Sequence, residues 1–119
     1  MTSTVKPFLY YLKNEKEGLE LVSEIKKRVN RSTSTCLCGE KMKIKYSPKE
    51  YPYNVGGNEK TLVILESPYF ECKSCGRKTE DVFLYANVEK SIEREIFLRL
   101  NNRESIPEQV DFSVFISDN

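Results

Sequence analysis

The chain has 119 residues, and histidine and tryptophan are both absent from it. Without histidine it cannot build an imidazole general base, an imidazole metal ligand or a Ser-His triad. Carboxylates could act as acids or bases, but those in the helical segments have the spacing, or the alternation with cations, that is typical of solvated faces. They are Glu15, Glu17, Glu20, Glu24, Glu93 and Glu95. The composition therefore favours a protein that is not an enzyme.

Long apolar runs are also absent. No segment approaches the roughly 20 apolar residues that cross a bilayer, and the first twenty residues lack the apolar core and cleavage site of a secretory signal. The formal net charge is only +1, whereas a dedicated duplex-DNA binder normally has a domain pI above about 9. We therefore expect a soluble, cytoplasmic protein with no membrane partner.

The concentrated chemistry lies in four cysteines, Cys36, Cys38, Cys72 and Cys75. They form two pairs with 33 residues between them, and a glycine follows each pair. A glycine with positive φ lets backbone amides turn towards the sulfurs, as in a zinc knuckle. Two knuckles predict one tetrahedral site for a structural Zn²⁺, with iron as the less favoured ion.

Other uses of four cysteines are weaker alternatives. Disulfides are typical of secreted scaffolds, and this sequence has no secretory signal. Thiol exchange uses a single CxxC motif at a strand-to-helix turn. The pair Cys36 and Cys38 encloses one residue, whereas Cys72 and Cys75 enclose the usual two. The second pair therefore matches the knuckle pattern more closely than the first.

The hydrophobic pattern predicts an α+β fold, namely a small zinc ribbon with a three-stranded antiparallel sheet, two knuckles and helices on both sides in sequence. Asn14 and Glu17 resemble a capping box before an amphipathic helix. Strands are predicted at residues 41–46, 61–65 and 81–85, with a turn-rich mobile loop over 47–60. A second helix is predicted over 88–100, followed by a short strand within 110–116.

These elements divide the chain into three predicted segments. Residues 1–31 form an amino-terminal helical extension, and a polar linker over 30–35 leads out of it. Residues 32–100 form the zinc-ribbon domain with its following helix. Residues 101–119 form a carboxy-terminal tail.

An apolar patch follows Pro7 and contains Phe8, Tyr10, Tyr11 and Leu12. Such a patch either packs the first helix against the ribbon or, if it is exposed, forms a surface that binds a protein partner. A sheet edge and the apolar tail at 112–116 make a homodimer a further hypothesis.

A lysine row alternates with apolar residues at the start of the first predicted strand. Lys41, Lys43 and Lys45 would lie on one face of this strand. Such a row either tracks phosphates, with Tyr51 and Tyr53 stacking on bases, or forms a solvated strand face. Binding to nucleic acid is therefore the alternative function.

The stretch from Cys36 to about Leu100 resembles the YgiT-type zinc finger, the zinc-binding amino-terminal half of MqsA-type antitoxins. The features that carry the resemblance are the two cysteine-glycine turns, the loop of tyrosines, proline and glycine at 51–56, the apolar strand through Pro68, and the charged helix after the second turn. The resemblance implies a structural zinc held by all four cysteines and a ribbon that binds a protein, often a toxin.

The family's helix-turn-helix domain has no counterpart in the 19 residues after Leu100, so a DNA-reading domain is not expected. Together with the residues themselves, the resemblance predicts a small antitoxin-like or effector-neutralising zinc protein of bacterial or phage type. Its expected partner is another protein, with nucleic acid as the alternative.

Overall fold

The computed structural model describes residues 6–30 and 33–116, which form an α+β fold. The predicted fold class is confirmed at this level. In chain order the elements are α1 (Tyr10–Lys13), α2 (Lys16–Val29), β1 (Thr33–Thr35), β2 (Lys41–Val55), β3 (Asn58–Cys72), β4 (Lys78–Thr79), α3 (Val82–Asn101), β5 (Gln109–Asp111) and a 3₁₀ helix (Phe112–Phe115). The predictions for residues 1–5, 31, 32 and 117–119 lie outside the described residues.

A long antiparallel hairpin, β2 with β3, is the frame of the sheet. Its turn is made by Gly56 and Gly57, both with positive φ, between the paired residues Val55 and Asn58. Two consecutive positive φ angles are the requirement of a tight two-residue hairpin turn, which glycine meets without strain. The segment 47–60, predicted as a mobile loop, is therefore mostly strand.

Three short strands complete the five-stranded sheet. β1 pairs antiparallel with the start of β2, and β4 pairs antiparallel with the end of β3. β5 pairs parallel with the middle of β3, where Ile64 lies opposite Val110. The cysteine end of the hairpin is thus flanked by β1 and β4, and β5 supports its centre.

A β-bulge interrupts the hairpin where Pro48 faces two residues of β3, Leu65 and Glu66. Glu66 has φ of 56°, and proline is tolerated at a bulge because no ladder donor is needed there. Along β2 the better-buried positions are even-numbered before the bulge and odd-numbered after it. The better-buried positions of β2 therefore change parity at the bulge, and counting by twos from residue 41 does not predict the later ones.

Helix α3 starts earlier than predicted, and residues 81–85 are not a strand. The carboxylate of Asp81 accepts hydrogen bonds from the backbone N–H of Phe83 and Leu84 at 3.0 and 3.1 Å, which caps the helix. Arg28 holds the same carboxylate with two bonds of 2.9 Å. The strand that pairs antiparallel with β3 at the cysteine end is instead the two-residue strand β4.

The amino-terminal region also differs from its prediction. Helix α2 begins at Lys16 after Glu15, and no side chain caps it, so Asn14 does not form the predicted capping box. Part of the predicted linker, residues 33–35, is strand β1. Gly18 packs so closely on α1 that a Cβ there would lie 1.9 Å from the carbonyl oxygen of Leu12. Glycine is therefore required where the two helices meet.

The main hydrophobic core joins the helices to β3, β5 and the 3₁₀ helix. Its buried residues are Phe8, Leu9, Leu12, Val22, Ile25, Leu62, Ile64, Leu84, Tyr85, Val88, Ile92, Ile96, Val110, Phe112 and Phe115. This set draws on all three of the predicted segments. The predicted tail strand is reduced to β5, and the aromatic residues after it fold back into the core as a 3₁₀ helix.

A charged pair, Glu95 and Arg99, is buried in this core, so the prediction that Glu95 is solvated was wrong. The Glu95 carboxylate accepts from the backbone N–H of Leu9 and of Leu12, both at 2.9 Å, and from Arg99 Nε at 2.8 Å. Arg99 also donates to the carbonyl oxygens of Lys6, Pro7 and Ser105. The pair thereby holds the amino-terminal segment against α3.

No helix among the described residues is long and apolar enough to cross a membrane.

Candidate metal centre and neighbouring surfaces

The four cysteines come together at the end of the hairpin that lies opposite its glycine turn. Cys36 follows β1 and Cys38 lies in the turn before β2, while Cys72 ends β3 and Cys75 lies in the turn before β4. Residues 36 and 72 are buried, and residues 38 and 75 are exposed. Each turn therefore contributes one inner and one outer sulfur.

The two turns share a backbone pattern. In the first, Cys36 N–H donates to the Glu40 carbonyl at 2.8 Å and Gly39 N–H donates to the Cys36 carbonyl at 2.9 Å. In the second, Cys72 N–H donates to Arg77 at 2.8 Å and Gly76 N–H to Cys72 at 2.9 Å. Gly39 and Gly76 have φ of 95° and 73°. Both turns close in the same way although the first is one residue shorter.

The sulfur positions fit a tetrahedral ion. All four Sγ atoms lie within 4.8 Å of one another, and the pairs Cys36–Cys75 and Cys38–Cys72 are 3.5 Å apart. A zinc–sulfur bond of about 2.3 Å in tetrahedral geometry needs sulfurs about 3.8 Å apart. The thiols are free, so no disulfide joins them. The prediction that these four residues form one potential metal site is confirmed.

The surrounding amides favour negative sulfur at Cys72. Backbone amides of Cys75 and Ser74, together with the neighbouring thiols, lower the pKa of Cys72 to about 7 against the opposing effect of burial. At Cys38 the backbone amide of Glu40 lowers the pKa, but hydrogen bonds with the other thiols raise it to about 12. Thiols that share protons in this way are suited to a cation, which replaces the protons when it binds.

This end of the molecule has little apolar packing. Its separate cluster holds three buried residues, Cys36, Met42 and Cys72, with Phe70 packed against them. Two of these are themselves candidate metal ligands. A core of this size gives little stabilisation, which is the usual situation in which a structural metal is found.

The predicted protein-binding patch after Pro7 is largely inside the fold. Phe8 and Leu12 are buried in the main core, which removes them as contact residues for a partner. Tyr11 is half-buried, and its hydroxyl donates to Glu104 at 2.9 Å. Tyr10 remains 41% exposed. Phe8 and Leu12 therefore fit the other interpretation of the patch, in which it packs the first helix against the rest of the chain.

The predicted lysine row is exposed as expected. Lys41, Lys43 and Lys45 are exposed on β2, with Met42 buried between the first two. Lys73 of the second cysteine turn lies next to Lys43, and it lowers the pKa of Lys43 by hydrogen bonding and by charge repulsion. Lys45 forms an ion pair of 3.4 Å with Glu71. A cluster of like charges therefore borders the cysteine site.

The two tyrosines grouped with these lysines lie elsewhere. Tyr51 and Tyr53 come after the bulge and pack against the main core, whereas the lysines precede the bulge and take no part in that core. The structure thus separates the lysine row from its predicted base-stacking partners.

A groove that the sequence did not predict lies between α3 and the end of the β2–β3 hairpin that carries the glycine turn. Its volume is about 360 Å³, and it is lined by Tyr51, Pro52, Tyr53, Asn54, Glu93, Ile96, Phe97 and Leu100. Phe97 and Leu100 on the helix side of this groove are 53% and 42% exposed. The signal was present in the sequence, since the five apolar residues from 92 to 100 make a stripe wider than one packed face requires.

The elements proposed for a homodimer are partly occupied within the chain. Phe112 and Phe115 of the tail are buried in the chain's own core. Beyond residue 43 the outer edge of β2 has no paired strand among the described residues. Pro48 and Pro52 lie on that strand, and proline interrupts the row of donors that strand addition needs. A homodimer stays a prediction.

The resemblance of residues 36–100 to the YgiT-type zinc finger also stays a prediction. Comparison with protein-family models found no match, and comparisons with curated proteins and with solved structures found none either.

Proposed function

We propose that this chain is a non-enzymatic zinc-ribbon protein that works by binding another protein. In this proposal, Cys36, Cys38, Cys72 and Cys75 hold one structural Zn²⁺ that fixes the end of the long hairpin. Four thiolates fill a tetrahedral site and leave no open position for a substrate. The toxin or effector class of partner follows from the YgiT-type resemblance and is part of the proposal.

The observation that carries the binding role is the exposed apolar surface of the groove. Phe97 and Leu100 project from a 20-residue helix whose other face is packed in the core. Contiguous apolar side chains on a rigid element are typical of interaction surfaces, because their exposure in the free protein is unfavourable. In this account the zinc end supports the hairpin, and the groove near the other end supplies the contact.

The cation cluster favours a second candidate, binding to nucleic acid. Lys41, Lys43 and Lys73 are exposed, and the repulsion between Lys43 and Lys73 would be relieved by a phosphate. Such binding would depend strongly on salt, because counterions are released from the phosphates. It ranks second because Tyr51 and Tyr53 do not lie with the lysines.

The test is native mass spectrometry of the protein isolated from its source cells. We expect one zinc ion per chain and a retained protein partner in a fixed ratio. A bare chain at micromolar concentration would contradict the binding role, and a retained nucleic acid would favour the second candidate. A metal-free chain whose mass shows that two disulfides have formed would contradict the zinc proposal.

A matched pair of variants separates the metal from the fold in this test. Cys75→Ser removes an exposed ligand, whereas Ser74→Ala changes the neighbouring exposed residue and leaves all four sulfurs in place. We expect loss of the zinc ion in the first variant and full occupancy in the second. Equal occupancy in both would show that the four sulfurs are not the ligand set.

A further inference from the structure

The groove between α3 and the glycine-turn end of the hairpin has walls that the fold fixes. Tyr51 and Tyr53 pack against the main core, so their rings form a preformed wall. On the helix side the Arg94 guanidinium lies 5.5 Å from the centre of the Phe97 ring. Arg94 is held by two bonds to Glu15, at 3.0 and 2.9 Å. A partner would therefore meet a site that needs little ordering on binding.

The helix side of the groove is acidic. Glu93 lines it, and the Glu93 side chain makes no hydrogen bond or ion pair within residues 6–30 and 33–116. Burial raises the pKa of Tyr51, and the charges of Glu93 and Glu89 raise it further. Burial likewise raises the pKa of Tyr53, with a contribution from Glu108. The three carboxylates thus all raise the pKa of the tyrosine hydroxyl that each one faces.

The ammonium group of Lys60 lies near the opposite wall. Lys60 pairs with Tyr53 across the hairpin and is exposed. The charge pattern is therefore directional: Glu89 and Glu93 lie on α3, where Arg94 is paired with Glu15, and the ammonium group of Lys60 lies towards the hairpin turn. A ligand with one apolar anchor and neighbouring cations would match the helix side, and an acidic ligand would be repelled from it.

From this geometry we infer that the groove is the docking site for a short segment of a protein partner that carries an aromatic or large aliphatic anchor beside Lys or Arg residues. The anchor contacts Tyr51, Phe97 and Leu100, and the cation lies against Glu93. The inference rests on the proposed protein-binding function and adds the place and the chemistry of the contact.

The test uses a displayed library of random peptides selected against the purified, metal-loaded chain. We expect enrichment of sequences in which an aromatic or aliphatic residue stands next to Lys or Arg. One enriched peptide, made synthetically, is then measured by calorimetry against four variants. Enrichment of acidic peptides, or of no common pattern, would overturn the inference.

The variants form two matched pairs. Phe97→Ser should weaken the peptide about tenfold or more, as a central aromatic contact does, whereas Phe83→Ser, at an aromatic 68% exposed near the other end of α3, should change affinity less than about twofold. Glu93→Gln should weaken peptide binding about threefold and reduce the salt dependence of that binding. Lys43→Gln should change neither the affinity nor the salt dependence. Equal effects within either pair would place the peptide outside the groove.

The same variants separate this inference from the proposed function. If the natural partner is retained by the wild type and equally by Phe97→Ser, the binding function stands and the groove is not its site. If the wild type retains no protein, the proposed function fails whatever the peptides show. Circular dichroism of Phe97→Ser should match the wild type, because the ring is exposed.

Discussion

The two ends of the hairpin are held by different kinds of interaction. The cysteine end has a cluster of three buried residues and one partly buried aromatic. The helical body has a core of fifteen buried residues and a charged pair whose polar atoms are all hydrogen-bonded. Apolar burial stabilises the body, whereas the cysteine end needs an interaction that is stronger per residue. The proposed metal ion would supply that, because it would join residues from both turns.

Removing the metal should have the largest effect, confined to the cysteine end. Structural zinc contributes about 10 kcal/mol or more in small zinc-binding domains. With a chelator, amides of β1, β4 and the two cysteine turns should lose protection in hydrogen exchange, and amides of α3 should keep it. Equal loss at both ends, or no change at either, would contradict the division between the two regions.

Glu95→Ala should damage the helical body. It leaves Arg99 charged and unpaired in the core and removes the acceptor of two backbone amides, which should lower the free energy of unfolding by about 3–5 kcal/mol. Urea denaturation measures the change. The control is Glu93→Ala, two residues earlier on the same helix but exposed, with an expected change below about 0.5 kcal/mol. A similar loss for both would mean that the buried pair is not structural.

Asp81→Asn tests the junction between the two regions, since Asp81 caps α3 and binds Arg28 of α2. Asparagine can still cap the helix, so the expected loss of about 1–2 kcal/mol at neutral pH comes from the charged hydrogen bonds with Arg28. Burial raises the pKa of Asp81, but the bonds from Arg28 and from the Leu84 and Phe83 amides keep it below the ordinary 3.8.

Because the folded pKa of Asp81 is lowered, its contribution is present above the unfolded pKa and is lost as pH falls through the folded pKa. The difference between wild type and Asp81→Asn in urea denaturation should therefore shrink below about pH 4. Glu80→Gln is the neighbouring control, since its ion pair with Lys49 is exposed and should contribute less than about 1 kcal/mol. A difference that grows on acidification would contradict this account.

The smallest expected effect comes from a glycine at each end. Gly76→Ala and Gly57→Ala both put a side chain at positive φ, and in neither does the new Cβ meet an atom within 4 Å. Each should therefore cost about 1 kcal/mol of backbone strain. In Gly76→Ala the cost should appear as metal affinity about fivefold weaker. In Gly57→Ala the metal affinity should be unchanged. A weaker metal affinity in this variant would show that the two ends of the hairpin are energetically coupled.

The correct parts of the sequence analysis depended on local patterns. The strands at 41–46 and 61–65 lie within β2 and β3, and the helix at 88–100 lies within α3. The errors fell where a local signal had two meanings. Proline, glycine and asparagine over 47–60 indicated a loop, but Pro48 occupies a bulge and only Gly56 and Gly57 form the turn. The apolar run at 82–85 is compatible with a strand, but in the structure Asp81 caps it as the first turn of a helix.

By itself the sequence determined the cysteine site, because two short turns each bring their own pair of sulfurs together and only one long-range contact is needed to unite them. It also determined the α+β class through the periodicity of its apolar residues. Tertiary structure alone decided which side chains are covered. Phe8, Leu12 and Glu95 are buried and Phe97 is exposed, because burial depends on which elements meet, and those contacts join residues more than 80 positions apart.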